Sequence, residues 1–95
     1  MAAYVIVDVK VSDPEVYAKY RRQVGPNIAQ YGGTFVVRGG ALETLEGEWQ
    51  PERLVIIQFE SMEQAHRWYD SPEYAPLKAL RQQAASANLI MVEGL

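Results

Sequence analysis

The stretch AYVIVDVKV, residues 3–11, decides the fold, because its side chains alternate with the period of a β-strand. Valine occupies every second position from Val5 to Val11, and β-branched residues at that spacing share one face of an extended strand. The positions between them are aromatic, aliphatic and acidic in turn, at Tyr4, Ile6 and Asp8. The stretch therefore predicts a strand with one purely apolar face and one face of mixed chemistry.

Two helical segments are predicted from capping residues and from apolar side chains spaced by three and four. Ser12 or Asp13 can cap the first helix, which is expected to run to about Tyr31. Ser61 can cap the second, and the dipeptide Ser71–Pro72 interrupts it before helical spacing resumes. The sequence therefore predicts one long helix and one broken helix.

Three further strands complete the order of elements. Residues 34–38 regain strand character, and the glycine pair that follows suggests a bend before a continuation at 41–45. Residues 53–59 (RLVIIQF) and 88–93 are the third and fourth strands. The order β-α-β-β-α-β predicts a single α+β domain over residues 1–95, with a ferredoxin-like antiparallel sheet and both helices on one face.

Sorting the strand residues by parity predicts the two faces of this sheet. The set expected to pack under the helices is purely apolar: Val5, Val7, Val9, Phe35, Val37, Val55, Ile57, Phe59, Ile90 and Val92. The opposite set mixes polar and large aliphatic side chains: Tyr4, Ile6, Asp8, Thr34, Val36, Arg38, Leu54, Ile56, Gln58, Leu89, Met91 and Glu93. Leaving such aliphatic side chains in water forgoes about 1.5 to 3 kcal/mol each. We therefore expect a second copy to cover this face, forming a homodimer of the dimeric α+β barrel type.

The expected contacts of that second copy are Ile6, Val36, Trp49, Ile56 and Met91. Trp49 stands in a polar loop, where an aromatic side chain serves either as a lid over a cleft or as an anchor on a partner subunit. The anchor is the favoured interpretation.

The polar side chains of the mixed face predict a binding site, because they are costly to bury unless they meet one another or a ligand. The expected ligand-binding residues are Asp8, Arg38, Gln58, Trp68 and Glu93. Arg38 is a planar donor suited to a carboxylate or an enolate-like oxygen. The alternative is an ion-pair network, with Arg38 paired to Asp8 or Glu43, that only sets the register of the dimer.

Composition and missing motifs exclude several classes of function. Nine Lys and Arg against 12 Asp and Glu give a net charge of −3, so no basic field attracts nucleic acid. The chain has no cysteine, no apolar run near the roughly 18 residues of a membrane span, and no phosphate-binding glycine motif. His66 is the only histidine, and its acidic neighbours lack metal-ligand spacing. We expect no cofactor, no metal, no membrane partner and a cytoplasmic location, with His66 on the surface.

Several ordered segments resemble the domain of unknown function 1330 family. They are YGGTFVVRGG at 31–40, LEGEWQPERLV at 45–55, WYDSPEY at 68–74 and VEG at 92–94. The residues that match the family pattern are Arg38, Trp49, Arg53, Trp68 and Tyr74. The resemblance implies a ferredoxin-like fold assembled as a dimeric α+β barrel, and it implies no settled activity.

The wider superfamily that the chain resembles includes cofactor-independent monooxygenases of the antibiotic-biosynthesis type, lactone isomerases and stress-responsive barrel proteins. The first hypothesis is a small dimeric barrel protein that binds or converts a small organic molecule, anionic or polar, in a cleft near the sheet, with Arg38 and Asp8 in that cleft. Its alternative is a non-catalytic homodimeric interaction or scaffold domain. The sequence leaves open whether the protein is an enzyme.

Overall fold

The computed structural model describes the whole chain, Met1–Leu95, as one antiparallel sheet with helices packed on one of its faces. The elements in chain order are β1 (Ala3–Val11), α1 (Pro14–Gln30), β2 (Thr34–Arg38), β3 (Arg53–Phe59), α2 (Met62–Tyr69), α3 (Ala75–Ala84) and β4 (Ala85–Glu93). The strand order across the sheet is β2-β3-β1-β4. The predicted α+β fold and the break in the second helix are confirmed.

Side-chain caps fix the ends of the helices. Asp13 accepts a hydrogen bond from the backbone N–H of Val16 at 3.2 Å, which supplies a partner for one of the free donors at the start of α1. Between α2 and α3, the Ser71 hydroxyl donates to the carbonyl of Trp68 at 2.8 Å and accepts from the N–H of Tyr74 at 3.1 Å. One serine therefore ends the first half of the broken helix and holds the start of the second.

The core lies between the sheet and the helices. The most buried strand residues are alternate positions of β1 and β3, as the parity argument predicts: Val5, Val7, Val9, Val55, Ile57 and Phe59. Trp68 from α2 lies above them at 1% exposure, with its ring centroid 5.6 Å from that of Phe59 and 4.3 Å from that of Tyr74. These aromatic contacts join the helices to the two central strands.

The predicted faces of β4 are wrong. Met91 pairs with Val5 and therefore points to the helix side, whereas Ile90 pairs with Ile6 and lies on the open face at 59% exposure. The pattern misled because residues 89–92 are apolar on both parities, so alternation alone did not distinguish the faces. Glu93 pairs with Ala3 and falls on the helix side, at the end of the strand.

A bulge in β2 reverses the predicted face of Arg38. Phe35 pairs with Ile57 on the helix side. In a regular strand, alternation would place Val37 on the same side and Arg38 on the open face. The register instead shifts after Phe35, and Arg38 pairs with Val55, whose side chain is buried under the helices. The extra residue is Val36, which is 53% exposed. Arg38 therefore lies on the helix side, and the prediction that it shares the open face with Asp8 is wrong.

Residues 39–52 form a loop, so the predicted continuation of the second strand at 41–45 is wrong. Gly39 adopts a positive φ of 72°, and its N–H donates to the carbonyl of Leu54 at 2.9 Å. This turn directs the chain away from the ladder. The positive φ favours glycine at this position, and a Cβ at Gly39 would also require the guanidinium of Arg53 to move.

Candidate functional site

A small cavity lies between α1, α3 and the helix side of the sheet. Its volume is about 30 Å³, which is room for one or two water molecules. Aromatic side chains form much of its wall: Tyr17, Tyr20, Trp68 and Tyr74. Aliphatic residues including Ile28 and Ile57 complete it, so the enclosed space is mostly apolar.

Arginines from four different elements line the same cavity: Arg21, Arg38, Arg53 and Arg81. None of them forms a salt bridge, because the ion pairs of the protein join other residues: Lys10 with Glu52, His66 with Asp70, and Arg67 with Glu63. Although the net charge of the chain is −3, these four arginines lie around one mostly apolar space without a carboxylate partner. Such an arrangement suits an anion.

A short chain of hydrogen bonds leads from Arg81 into the cavity wall. The Nε of Arg81 donates to the Tyr74 hydroxyl at 3.4 Å, and that hydroxyl lies 2.9 Å from the hydroxyl of Tyr20. All three residues are buried. Burial and the neighbouring Tyr74 raise the pKa of the Tyr20 phenol, so Tyr20 stays protonated. Burial by itself lowers the pKa of Arg81, but the neighbouring Tyr74, Tyr20 and Tyr69 together raise it by more, so Arg81 stays charged.

Arg53 carries the one buried side-chain nitrogen of the protein that has no hydrogen-bond partner. Its Nε is out of contact with water and with every acceptor. The guanidinium lies over the ring of Tyr17, 5.7 Å from the centroid, and packs against the backbone of Gly39. The guanidinium of Arg53 therefore occupies space that the missing side chain of Gly39 leaves open.

Arg38 spans the rim of the cavity from the edge strand to α1. Its Nη2 donates to the carbonyl of Arg21 at 2.9 Å, and its Cζ lies 4.1 Å from the centroid of the Phe35 ring. A surface groove of about 350 Å³ shares Arg21 and Arg38 with the cavity, and another of about 280 Å³ shares Tyr17, Arg21 and Arg53. A molecule much larger than the cavity thus has adjoining space on the surface.

The open face holds only part of the predicted polar cluster. Asp8 pairs with Leu54 and Gln58 pairs with Tyr4, so the two polar side chains lie at opposite ends of the β1–β3 ladder. Glu93 lies on the other side of the sheet. The structure therefore does not bring these three residues together.

Arg38 and Trp68, the other two predicted ligand-binding residues, both line the cavity on the helix side. The sequence analysis did not identify Tyr20 or Arg81 as candidate site residues. A signal was present, because Arg81 follows Leu77 by four residues and so shares the buried side of its helix. A charged residue on a buried stripe is an indication of function.

An apolar band crosses the open face of all four strands. Val37 pairs with Ile56, Ile56 pairs with Ile6, and Ile6 pairs with Ile90, so these side chains form a continuous row. No helix covers this row. Ile6 and Ile56 therefore lie where an interface requires them, whereas Met91 points to the helix side.

Trp49 stands beside this band. The loop brings its indole over β1, where Nε1 donates to the Oδ2 of Asp8 at 2.8 Å. A groove of about 230 Å³ remains between Trp49 and the strands, lined also by Ile6, Asn88 and Ile90. The ring is 62% exposed, so most of its surface is available to another molecule.

The other candidate chemistries gain no support from the geometry. His66 is exposed on α2 and lies 3.8 Å from Asp70, one helical turn away. No group of three or more His, Asp and Glu side chains is placed to hold a metal ion. None of the helices combines the length and the apolar composition that a membrane crossing requires.

A hydrogen bond between Tyr31 and Glu73 predicts a measurable shift in a carboxyl pKa. The Tyr31 hydroxyl donates to Oε1 of Glu73 at 2.6 Å and lowers the pKa of that carboxyl. The contact thus stabilises the fold above the ordinary pKa of glutamate and is lost as the pH falls through the lowered value. Tyr31→Phe should raise the pKa of Glu73 towards its ordinary range in an NMR titration, and Tyr69→Phe should not. An unchanged Glu73 pKa in Tyr31→Phe would show that the hydrogen bond is not formed.

Comparison with known structures gives the same fold. The RPA0582 protein of unknown function from Rhodopseudomonas palustris is 22% identical, with a TM-score of 0.78 over 99% of this chain and 82% of that one. A dimeric protein of unknown function with a ferredoxin-like fold from Bacteroides fragilis is 14% identical, with a TM-score of 0.66 over 98% and 96% of the two chains. At these identities the likeness establishes the fold alone.

A third similar structure is SnoaB, a cofactor-independent oxygenase from Streptomyces nogalater. It is 12% identical, with a TM-score of 0.65 over 99% of this chain and 92% of that one. No curated protein matches the sequence. The family model described as "Domain of unknown function (DUF1330)" matches residues 2–95, which is nearly the whole chain. The chain therefore belongs to the DUF1330 family.

Proposed function

We propose that this protein binds a small organic molecule, anionic or polar, in the cavity between the helices and the sheet, and that it does so as a homodimer. The observation that carries the proposal is the collection of arginines from four elements around one apolar cavity with no carboxylate partner. Binding sites for small molecules commonly have this form, with apolar walls and a few convergent polar groups.

The energetics of buried charge support a ligand of opposite sign. A guanidinium that loses water without gaining a counter-ion costs several kcal/mol. Arg81 is 5% exposed, and its one hydrogen bond to the protein is the contact with Tyr74. An anion at this position would offset that cost, and the apolar wall would strengthen the attraction by excluding water.

Catalysis in this cavity would be of the cofactor-independent oxygenase or isomerase type. Arginine and tyrosine donors stabilise an enolate-type oxygen as negative charge develops on it. The likeness to SnoaB, which is described as a cofactor-independent oxygenase, is consistent with such chemistry. The proposal itself is binding, and turnover is a separate measurement.

The homodimer is supported by the apolar band on the open face and by Trp49 beside it. Ile90 and Trp49 are 59% and 62% exposed in a single copy, which is unusual for side chains of this size in adjacent positions. A two-fold axis through the face would place the band of one copy on the band of the other. The similar protein from Bacteroides fragilis is described as dimeric, which agrees with this assembly.

Arg38→Ala should separate ligand binding from assembly. Arg38 lies at the rim of the cavity and away from the open face, so its loss should weaken the binding of organic anions about threefold to tenfold. The dimer should remain intact in sedimentation velocity. Binding can be followed by Trp68 emission in a Trp49→Phe background, with a set of small carboxylates and their neutral amides as probes.

The control for this experiment is Arg67→Ala. Arg67 is an exposed arginine whose Nη2 bonds to Glu63 at 2.7 Å, so its loss should change neither affinity nor assembly. The alternative function, a non-catalytic homodimeric scaffold, makes the opposite prediction. If Arg38→Ala weakens the dimer, or if no probe changes the Trp68 emission, the scaffold is the better account.

A further inference from the structure

Arg81 has more hydrogen-bond donors than the protein satisfies. A guanidinium carries five N–H groups, and Arg81 uses one of them, from Nε to the hydroxyl of Tyr74. Its terminal nitrogens make no hydrogen bond to the protein, and because they are not among its fully buried unpaired atoms they remain accessible to water. Arg81 lines the cavity, so it supplies charged donors to that space.

The tyrosine pair supplies one more donor. The hydroxyls of Tyr20 and Tyr74 together carry two protons, and the 2.9 Å contact between them uses one. The Tyr74 oxygen also accepts a hydrogen bond from Arg81, and this contact provides no acceptor for the second hydroxyl proton. Whichever tyrosine donates to the other, one hydroxyl proton has no acceptor in the protein. Both residues line the cavity beside Arg81.

The size of the cavity limits which part of a ligand can reach these hydrogen-bond donors. A volume of about 30 Å³ accommodates a compact polar group in place of water, but no ring or chain. The grooves that share Arg21 and Arg38, or Tyr17 and Arg53, with the cavity offer about 350 and 280 Å³ for the rest of the molecule. The geometry therefore favours a ligand with a small head inside and a larger body at the rim.

We infer that Arg81 and the Tyr20–Tyr74 pair bind the carboxylate head of an organic acid whose body lies along the adjoining groove. This inference rests on the proposed binding function and assigns its ligand class. A planar carboxylate accepts several hydrogen bonds and pairs with a guanidinium in a fixed geometry. A tetrahedral phosphate is bulkier and more strongly hydrated, so a carboxylate fits the enclosed volume better.

The test compares benzoate with benzamide, and hexanoate with hexanamide, by isothermal titration and by Trp68 emission in the Trp49→Phe background. Inorganic phosphate is the further probe. Benzoate and hexanoate should bind at least about tenfold more tightly than their amides, since charge-assisted hydrogen bonds are roughly twice as strong as neutral ones. Phosphate should bind more weakly than either acid.

The variants are Arg81→Met and Tyr20→Phe, with Arg67→Met as the control on an exposed arginine. Arg81→Met should lower the affinity for benzoate about tenfold or more, and Tyr20→Phe by a smaller factor. Both should change the binding of benzamide by a smaller factor, because the amide oxygen forms only neutral-acceptor hydrogen bonds with these donors. Arg81→Met should also raise the midpoint of thermal unfolding of the free protein, because it removes a largely buried arginine that has no counter-ion in the protein; a residue needed only for packing would lower it.

Two results overturn the inference at different levels. If the amides or phosphate bind as tightly as the carboxylates, or if both variants retain the affinity for benzoate, Arg81 does not bind a carboxylate, and the proposed binding function stands. If none of the probes, charged or neutral, changes Trp68 emission or releases heat, the inference and the proposed function both fail. If Arg81→Met does not fold, the affinity of Tyr20→Phe for benzoate still tests the inference.

Discussion

Replacing Ile6 with aspartate is expected to dissociate the proposed dimer into folded monomers. Ile6 lies at the centre of the apolar band, between Ile56 and Ile90 on the neighbouring strands. An aspartate there is hydrated in a single copy but loses water when a second copy covers it, and the two-fold axis makes each dimer bury the charge twice. The dissociation constant should rise at least about a hundredfold, equivalent to about 3 kcal/mol.

Ala29→Asp is the matched control for this change. Ala29 is exposed on α1, on the opposite side of the molecule from the apolar band, so it adds the same charge without meeting the interface. Sedimentation equilibrium should report a monomer for Ile6→Asp and a dimer for Ala29→Asp. Circular dichroism should show that both proteins are folded. A dimer of unchanged affinity in Ile6→Asp would mean that copies associate through another surface.

Replacing Trp68 with alanine is expected to remove most of the stability of the protein. Trp68 is 1% exposed, its ring packs between those of Phe59 and Tyr74, and its Nε1 donates to Oδ1 of Asn27 at 2.8 Å. The substitution leaves a cavity and an unpaired buried amide, so the free energy of unfolding should fall by about 3 to 5 kcal/mol. Total stability for a domain of this size is only about 5 to 15 kcal/mol.

Trp49→Ala provides the same change of side chain in an exposed position. Trp49 is 62% exposed and makes one hydrogen bond, to Asp8, so in the monomeric Ile6→Asp background it should cost no more than about 1 kcal/mol. Urea unfolding followed by circular dichroism measures both losses, with Trp68→Ala made in that same background. Equal costs for the two substitutions would contradict the assignment of Trp68 to the core.

The faces of β1 and β3 could be predicted from the sequence because their two parities differ in chemistry. In β1, valines alternate with Tyr4, Ile6 and Asp8, so only one register places a purely apolar set under the helices. Within residues 89–92 of β4 both parities are apolar, so this part of the strand does not distinguish its two faces. The polar residues Ser86 and Asn88 share the parity of Ile90 and indicate the open face, but the predicted strand began only at residue 88.

The candidate site was harder to predict for two physical reasons. The bulge at Val36 adds one residue to β2, which moves Arg38 from the open face to the helix side. The cavity also draws Arg21, Arg53 and Arg81 from elements far apart in the chain, so no local spacing could group them. The sequence predicts Arg38 and Trp68 as binding residues, and both line the cavity, but the predicted position of Arg38 on the open face is wrong.

The two faces of the sheet thus have different proposed roles, ligand binding on one and dimerisation on the other. Its helix side encloses the arginine-lined cavity, and its open side carries the apolar band that we assign to a second copy. Asp8 and Trp49 belong to the open side through their hydrogen bond, and Arg38 belongs to the helix side through its bond to Arg21. Substitutions on one face should therefore leave the function of the other face intact.

The isoleucines report on both faces at once, so methyl NMR of isoleucine-labelled protein tests this separation most directly. Ile28 and Ile57 line the cavity, whereas Ile6, Ile56 and Ile90 lie on the open face. Benzoate should shift the methyl signals of the first set only, and a soluble paramagnetic agent should fail to broaden those of the second set, because a partner covers them. Strong broadening of Ile90, or a benzoate response confined to the open-face methyls, would contradict the account.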